Sequence, residues 1–107
     1  MCPGQLLVTM DQVSVYTGIY NYVAKLNGAP YYAQNDGPGY VYKYTNDNNK
    51  TFWQLGNNLG TAIPSFYSNN NTECPEEANI WYHYLPGWIA TPGFNVDVVS
   101  RKSLRYI

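Results

Sequence analysis

Charge is scarce in this sequence. Asp, Glu, Lys and Arg make up 12% of its 107 residues, about half the roughly 25% of an ordinary soluble domain. The net charge is −1, and Arg101, Lys102 and Arg105 are the only clustered basic residues. A chain without a cationic stripe cannot neutralise a row of phosphates, so nucleic acid is excluded as a partner. Long apolar runs are also missing, and with them any segment that would insert into a membrane. The start, Met1-Cys2-Pro3-Gly4, lacks the basic and apolar regions of a secretion signal.

Catalytic ingredients are equally sparse. The one histidine, His83, stands between two tyrosines in a strand-like run. Nucleophilic catalysis needs a base, a nucleophile and a group that orients them. Cys2 is the nearest thing to a nucleophile and is better placed in a disulfide. The carboxylates fall mostly in loop-like stretches. Glu76 and Glu77 are chain neighbours, which does not converge two carboxyls on a scissile bond. There is no Asp-x-Asp-x-Asp-Gly loop, no paired Cys or His set and no Gly-rich phosphate loop. Asn46-Asp47-Asn48 is the nearest approach to a calcium loop. The expectation is a protein that is not an enzyme and carries no metal or cofactor.

Two cysteines remain, Cys2 and Cys74. An isolated pair so far apart fits one disulfide tying the N-terminal segment to a late loop; two unrelated buried thiols are the alternative. Two sequons, Asn49-Lys50-Thr51 and Asn70-Asn71-Thr72, lie in polar loop-like stretches, where Asn49 and Asn70 could accept a glycan. Disulfide, sequons and low charge together point to an extracellular setting.

What the chain has in excess is aromatic. Phe, Trp and Tyr make up 17% of it, and 12 residues are Tyr. A core of this size cannot hide so many phenol hydroxyls without partners, so some must reach the surface. Gly and Pro recur every ten residues or so, and short β-branched and aromatic runs lie between them. Strands are expected at Leu6–Met10, at Val13–Tyr16 with a possible continuation from Gly18 to Val23, at Pro30–Ala33, Tyr40–Tyr44, Thr51–Leu55, Ile80–Leu85 and Phe94–Val99. Asn27-Gly28 is the strongest turn signal, and Pro30 suits an edge strand. Gly56 to Asn71 reads as loop. The expected fold is all-β, a compact antiparallel sandwich or small barrel of about seven short strands. One domain fills residues 1–107, with its core at about 6–99 and a tail or linker at 100–107.

The order Gly18-x-Tyr20, Asn27-Gly28-x-Pro30-x-Tyr32, Tyr40-x-Tyr42, Trp53-x-Leu55, Trp81 and Gly87-Trp88 resembles a small Tyr- and Trp-rich domain. That domain is found, often in tandem copies, in secreted and surface proteins of algae, protists and marine invertebrates. The similarity runs from about Val13 to Val99. It departs from the pattern in the Asn-rich stretch Ser68 to Asn71 and in the two cysteines. It implies an extracellular module, and it transfers no activity and no site residue. Most of these residues also have a framework reading: Gly28 for a positive φ, Trp53 and Trp81 for the core.

Binding by aromatics is the chemistry that survives. A pyranose ring stacks its C–H groups on Tyr or Trp faces, and its hydroxyls need amide partners. Tyr40, Tyr42 and Tyr44 share one face of their strand; Tyr82 and Tyr84 share another, opposite Trp81, His83 and Leu85. With Trp88 and the amides Asn57 and Asn58, these tyrosines are the candidate glycan-binding set. The same residues would also suit packing against another copy of the chain in a filament, matrix or adhesive.

Overall fold

The computed structural model describes residues 2–12, 14–62, 64–84 and 87–99. Within them run nine strands: β1 (Gln5–Thr9), β2 (Gly18–Leu26), β3 (Ala29–Gln34), β4 (Tyr40–Thr45), β5 (Thr51–Gly56), β6 (Phe66–Ser68), β7 (Tyr82–Tyr84), β8 (Trp88–Ala90) and β9 (Asn95–Val98). A 3-10 turn, Pro75–Glu77, lies between β6 and β7. All strands join one antiparallel sheet in the order β8-β7-β6-β5-β4-β3-β2-β1-β9. The first eight form a meander, and the ninth returns to lie beside the first. Curling of the sheet into a half-barrel makes that return short. Phe94, at the entry to β9, stacks on Trp81 at the entry to β7, with ring centroids 5.0 Å apart, and lies 5.1 Å from Phe66 of β6.

The all-β expectation holds, as one curled sheet rather than two stacked ones. The strands not anticipated, β6 and β8, have three residues each, too few to show a periodicity of two. The expected strand at Val13–Tyr16 is not formed. Val13 is outside the described residues, and Ser14 to Thr17 turn the chain, with the Thr17 N–H and hydroxyl both donating to the Ser14 carbonyl. The proposed tail at 100–107 also lies outside them.

Asn27 and Gly28 form the expected hairpin turn. Both have positive φ, 53° and 85°, the pair of left-handed conformations that matches strand twist. Pro30, in contrast, does not mark an edge strand. β3 lies between β2 and β4 and pairs with β4 only at Tyr32 and Ala33, so the missing Pro30 N–H leaves no gap in that ladder.

Alternation along the strands sends Leu6, Val8, Tyr20, Tyr32, Val41, Trp53, Leu55 and Phe66 inward, where Trp81, Phe94 and Val96 complete the core. Buried phenols meet backbone carbonyls. The Tyr20 hydroxyl donates to Tyr16 O at 2.7 Å, and the Tyr32 hydroxyl donates to Pro3 O at 2.6 Å. Trp53 Nε1 donates to the carbonyl and hydroxyl of Thr72 at 3.0 and 3.1 Å. These three rings therefore contribute their apolar area without stranding a polar atom, whereas the buried Nε1 of Trp81 has no hydrogen-bond partner among the described residues. Lys43 sits at one end of this interior, its amine 5.1 Å from the centre of the Trp53 ring. Burial lowers that amine's pKa, and Glu73 and Glu77 pull the other way.

Cys2 and Cys74 form a disulfide across 72 residues of sequence. It fastens the segment before β1 to the entry of the 3-10 turn. That turn is held in addition by the Glu77 carboxylate, which accepts the Cys74 N–H at 3.0 Å.

Candidate functional site

The outer face of the sheet, from β5 to β8, carries the candidate site. Register places Gln54 beside Tyr67, Tyr67 beside Tyr82 and Tyr84 beside Trp88, while Phe52 lies opposite Tyr44. Neighbouring strands therefore bring alternate side chains into a contiguous patch. Tyr67 is its hub. Its ring stacks on Tyr82 at 5.3 Å and 26°, and meets Phe52 at 5.7 Å and Trp88 at 4.8 Å, both nearly perpendicular. Tyr84 extends the cluster to Trp88 at 5.5 Å. These are the offset and edge-on geometries that aromatic quadrupoles favour. Tyr84 and Trp88 remain 62% and 41% exposed, so the patch opens to solvent on its β8 side.

Beside the rings runs a groove of about 360 Å³, lined by Phe52, Tyr67 and Trp88 on its aromatic side. Gln54, Asn69 and the amine-bearing Lys50 supply its polar side. Gln54 is nearly buried and its amide nitrogen is committed, donating to the Tyr42 hydroxyl at 3.1 Å and to Thr61 O at 2.8 Å. Asn69 and Lys50 are exposed. The arrangement suits a ligand with an apolar face and a polar edge.

Comparisons with protein-family models, curated proteins and solved structures return no match. The geometry alone carries the functional reading.

Of the residues singled out from sequence, Tyr82, Tyr84 and Trp88 are brought together in this patch. Tyr44 and Tyr40 are half-buried on the same face, nearer its β4 side. Tyr42 must be corrected: it is fully buried. The loop after β5 folds over it, and its hydroxyl bonds the carbonyls of Asn58 and Thr61 at 3.2 and 3.1 Å. Asn57 and Asn58 are exposed on that loop and do not line the aromatic groove; Asn58 acts through its backbone. Phe52 and Tyr67 were missed. Tyr67 fell in a stretch whose Asn and Gly content reads as loop, and Phe52 joins the face only through the β4–β5 register. The run Ser65-Phe66-Tyr67-Ser68 between turn residues was the available signal.

The sequons differ. Asn49 is exposed at the β4–β5 hairpin tip with φ 62°. Asn70 is half-buried, and its side-chain oxygen accepts the Asn79 N–H at 3.0 Å and the Ser68 hydroxyl at 3.3 Å. Among the described residues, the grouping of His, Cys, Asp and Glu compact enough to share an ion is Cys2, Glu73 and Cys74. Both sulfurs there are spent on each other, which leaves no thiolate to bind a metal.

Proposed function

We propose that the protein is a non-catalytic glycan-binding module of the extracellular space, with the outer-face aromatic cluster as its site. The observation that carries this reading is Tyr67 held between Phe52, Tyr82 and Trp88 at the floor of an open groove. A sugar ring would lay its C–H face on the exposed indole of Trp88 or the ring of Tyr84. Its hydroxyls would turn towards the Asn69 amide. The disulfide and the exposed Asn49 sequon support the extracellular setting, since disulfides persist in oxidising compartments.

A glycan array followed by tryptophan fluorescence titration tests the proposal. Trp88→Ala and Tyr84→Ala should each weaken a hit by about tenfold, the scale of losing an aromatic anchor. Asn57→Ala should leave it unchanged. An array without hits, or hits indifferent to Trp88, would overturn the reading.

One observation favours a second reading. β8 is an edge strand whose Trp88, Ile89 and Ala90 are all exposed and bear no charge. Such an edge is open to pairing with a second copy. If the chain sediments as large species without sugar, and Trp88→Ala disperses them, assembly replaces glycan binding as the function of this patch.

A further inference from the structure

On the inner side of the sheet, the segment after β1 approaches the β7–β8 hairpin and leaves a cavity of about 470 Å³ between them. That volume lies within the roughly 300–1,000 Å³ of small-molecule sites. Its position separates it from the aromatic groove: His83 and Ile89 face each other in register on the inner side, whereas Trp88 opposite Tyr84 faces out. We propose that this cavity binds a small apolar amine.

Three features argue for that chemistry. The lining is largely apolar, with Met10, Phe66 and Ile89 among its residues. Phe66 is fixed by Phe94 at 5.1 Å and by Tyr16 edge-on at 6.1 Å, and Ile89 is 44% exposed at the opening. A hydrocarbon or aromatic body would cover this surface and remove it from water.

The second feature is an oriented imidazole. His83 Nδ1 is hydrogen-bonded to the Thr91 hydroxyl at 2.8 Å, and Thr91 is held in turn by its N–H donating to Trp81 O at 2.8 Å. With Nδ1 engaged, Nε2 is the ring nitrogen left to meet a ligand. The Thr91 hydroxyl can donate or accept, so the imidazole can present either a lone pair or an N–H.

The third is the sign of the charge. Asp11 is the one acidic side chain among the described residues that line the cavity. Its N–H donates to Pro92 O at 3.1 Å, and its carboxylate packs against Gly93, where a Cβ would collide with it. The segment after β1 is thereby tied to the turn before β9, and the Asp11 side chain stands exposed at the rim. Among the described residues, no lysine or arginine lines the cavity beside it. An ammonium group there is attracted to this carboxylate, whereas a carboxylate ligand is repelled.

The test uses the whole chain near neutral pH, with benzylamine, benzyl alcohol and benzoate as probes of one size and three charge states. Benzylamine should bind at least about tenfold more tightly than benzoate, a difference of ~1.4 kcal/mol. It should move the NMR signals of the His83 imidazole and the Phe66 ring while leaving Trp88 still. Asp11→Asn should reduce benzylamine to the affinity of benzyl alcohol. Ile89→Lys, which places an ammonium in the mouth from an exposed position, should abolish its binding without changing the melting temperature. Equal affinity for amine and benzoate, shifts at Trp88 instead of His83, or no shift at millimolar benzylamine would each overturn the proposal. None of these outcomes bears on glycan binding at the outer face.

Discussion

The side-chain amide of Gln54 donates to the hydroxyl of Tyr42 at 3.1 Å, across the β4–β5 ladder on the outer face of the sheet. That bond changes what the outer face is. Both partners also hold the carbonyl of Thr61, Tyr42 at 3.1 Å and Gln54 at 2.8 Å, so the loop after β5 is clamped down as a small second core. The aromatic groove begins where this lid ends.

Tyr42→Phe removes a hydroxyl that serves two carbonyls and one amide while keeping the ring. The expected cost is about 0.5–1.5 kcal/mol, the net worth of a hydrogen bond, because the Asn58 and Thr61 carbonyls and the Gln54 amide each keep another partner. Denaturant unfolding checks the size. Hydrogen exchange checks the place: amides of Asn58 to Thr61 should lose protection while those of β1 and β2 keep theirs. Glycan affinity should not follow, because the ring is fully buried.

Replacing Cys2 and Cys74 together by serine frees a loop of 72 residues in the unfolded chain. The expected loss is about 2–4 kcal/mol, measured as a lower urea midpoint in the variant and in the reduced native protein alike. The first losses should appear at the Tyr32 hydroxyl bond to Pro3, which lies beside the bridge. A destabilisation under about 0.5 kcal/mol would mean that surrounding packing already holds the N-terminal segment.

Alkaline pH should unfold the protein through its buried phenols. Burial, and then the neighbouring Tyr16, raises the Tyr20 pKa; burial, then Glu76 and Tyr22, pushes Tyr32 up to about 12. Both folded values exceed the unfolded value of about 10. The folded state therefore keeps protons that the unfolded chain releases, and stability present below about pH 10 is lost as pH rises towards about 12. The melting temperature should fall across that window, with two phenols ionising only as the chain unfolds. Tyr32→Phe should flatten the fall. A flat profile in the parent protein would contradict the assignment.

Glu76 works in the opposite pH range. Burial raises its pKa, its own backbone N–H pulls the other way, and its Oε1 has no hydrogen-bond partner. A raised carboxyl favours folding while it is protonated, and that contribution is lost as pH rises through its folded value. At neutral pH the ionised group is a burden. Glu76→Gln should accordingly raise the melting temperature near neutral pH and lose that advantage in acid, where the parent carboxyl is also neutral. A gain that is the same in acid and at neutrality would show that charge is not the cause.

The sequence by itself determined the local geometry. Asn27-Gly28 set a hairpin because both positions take positive φ, and the alternation from Tyr40 to Tyr44 set which residues share a face. Trp53 and Trp81 were legible as core, and Cys2 with Cys74 as a bridge, because few alternatives remained for either pair. What only the tertiary structure decided was exposure. The period of two states that Tyr42 and Tyr44 point the same way; it does not state that a loop 16 to 19 residues on from Tyr42 covers one and stops short of the other. Nor could it assemble the groove, since Phe52, Tyr67 and Trp88 meet through the registers of four strands, three of them three residues long. Register is a non-local quantity, fixed by the curl of the sheet and the packing of Phe66, Trp81 and Phe94 beneath it.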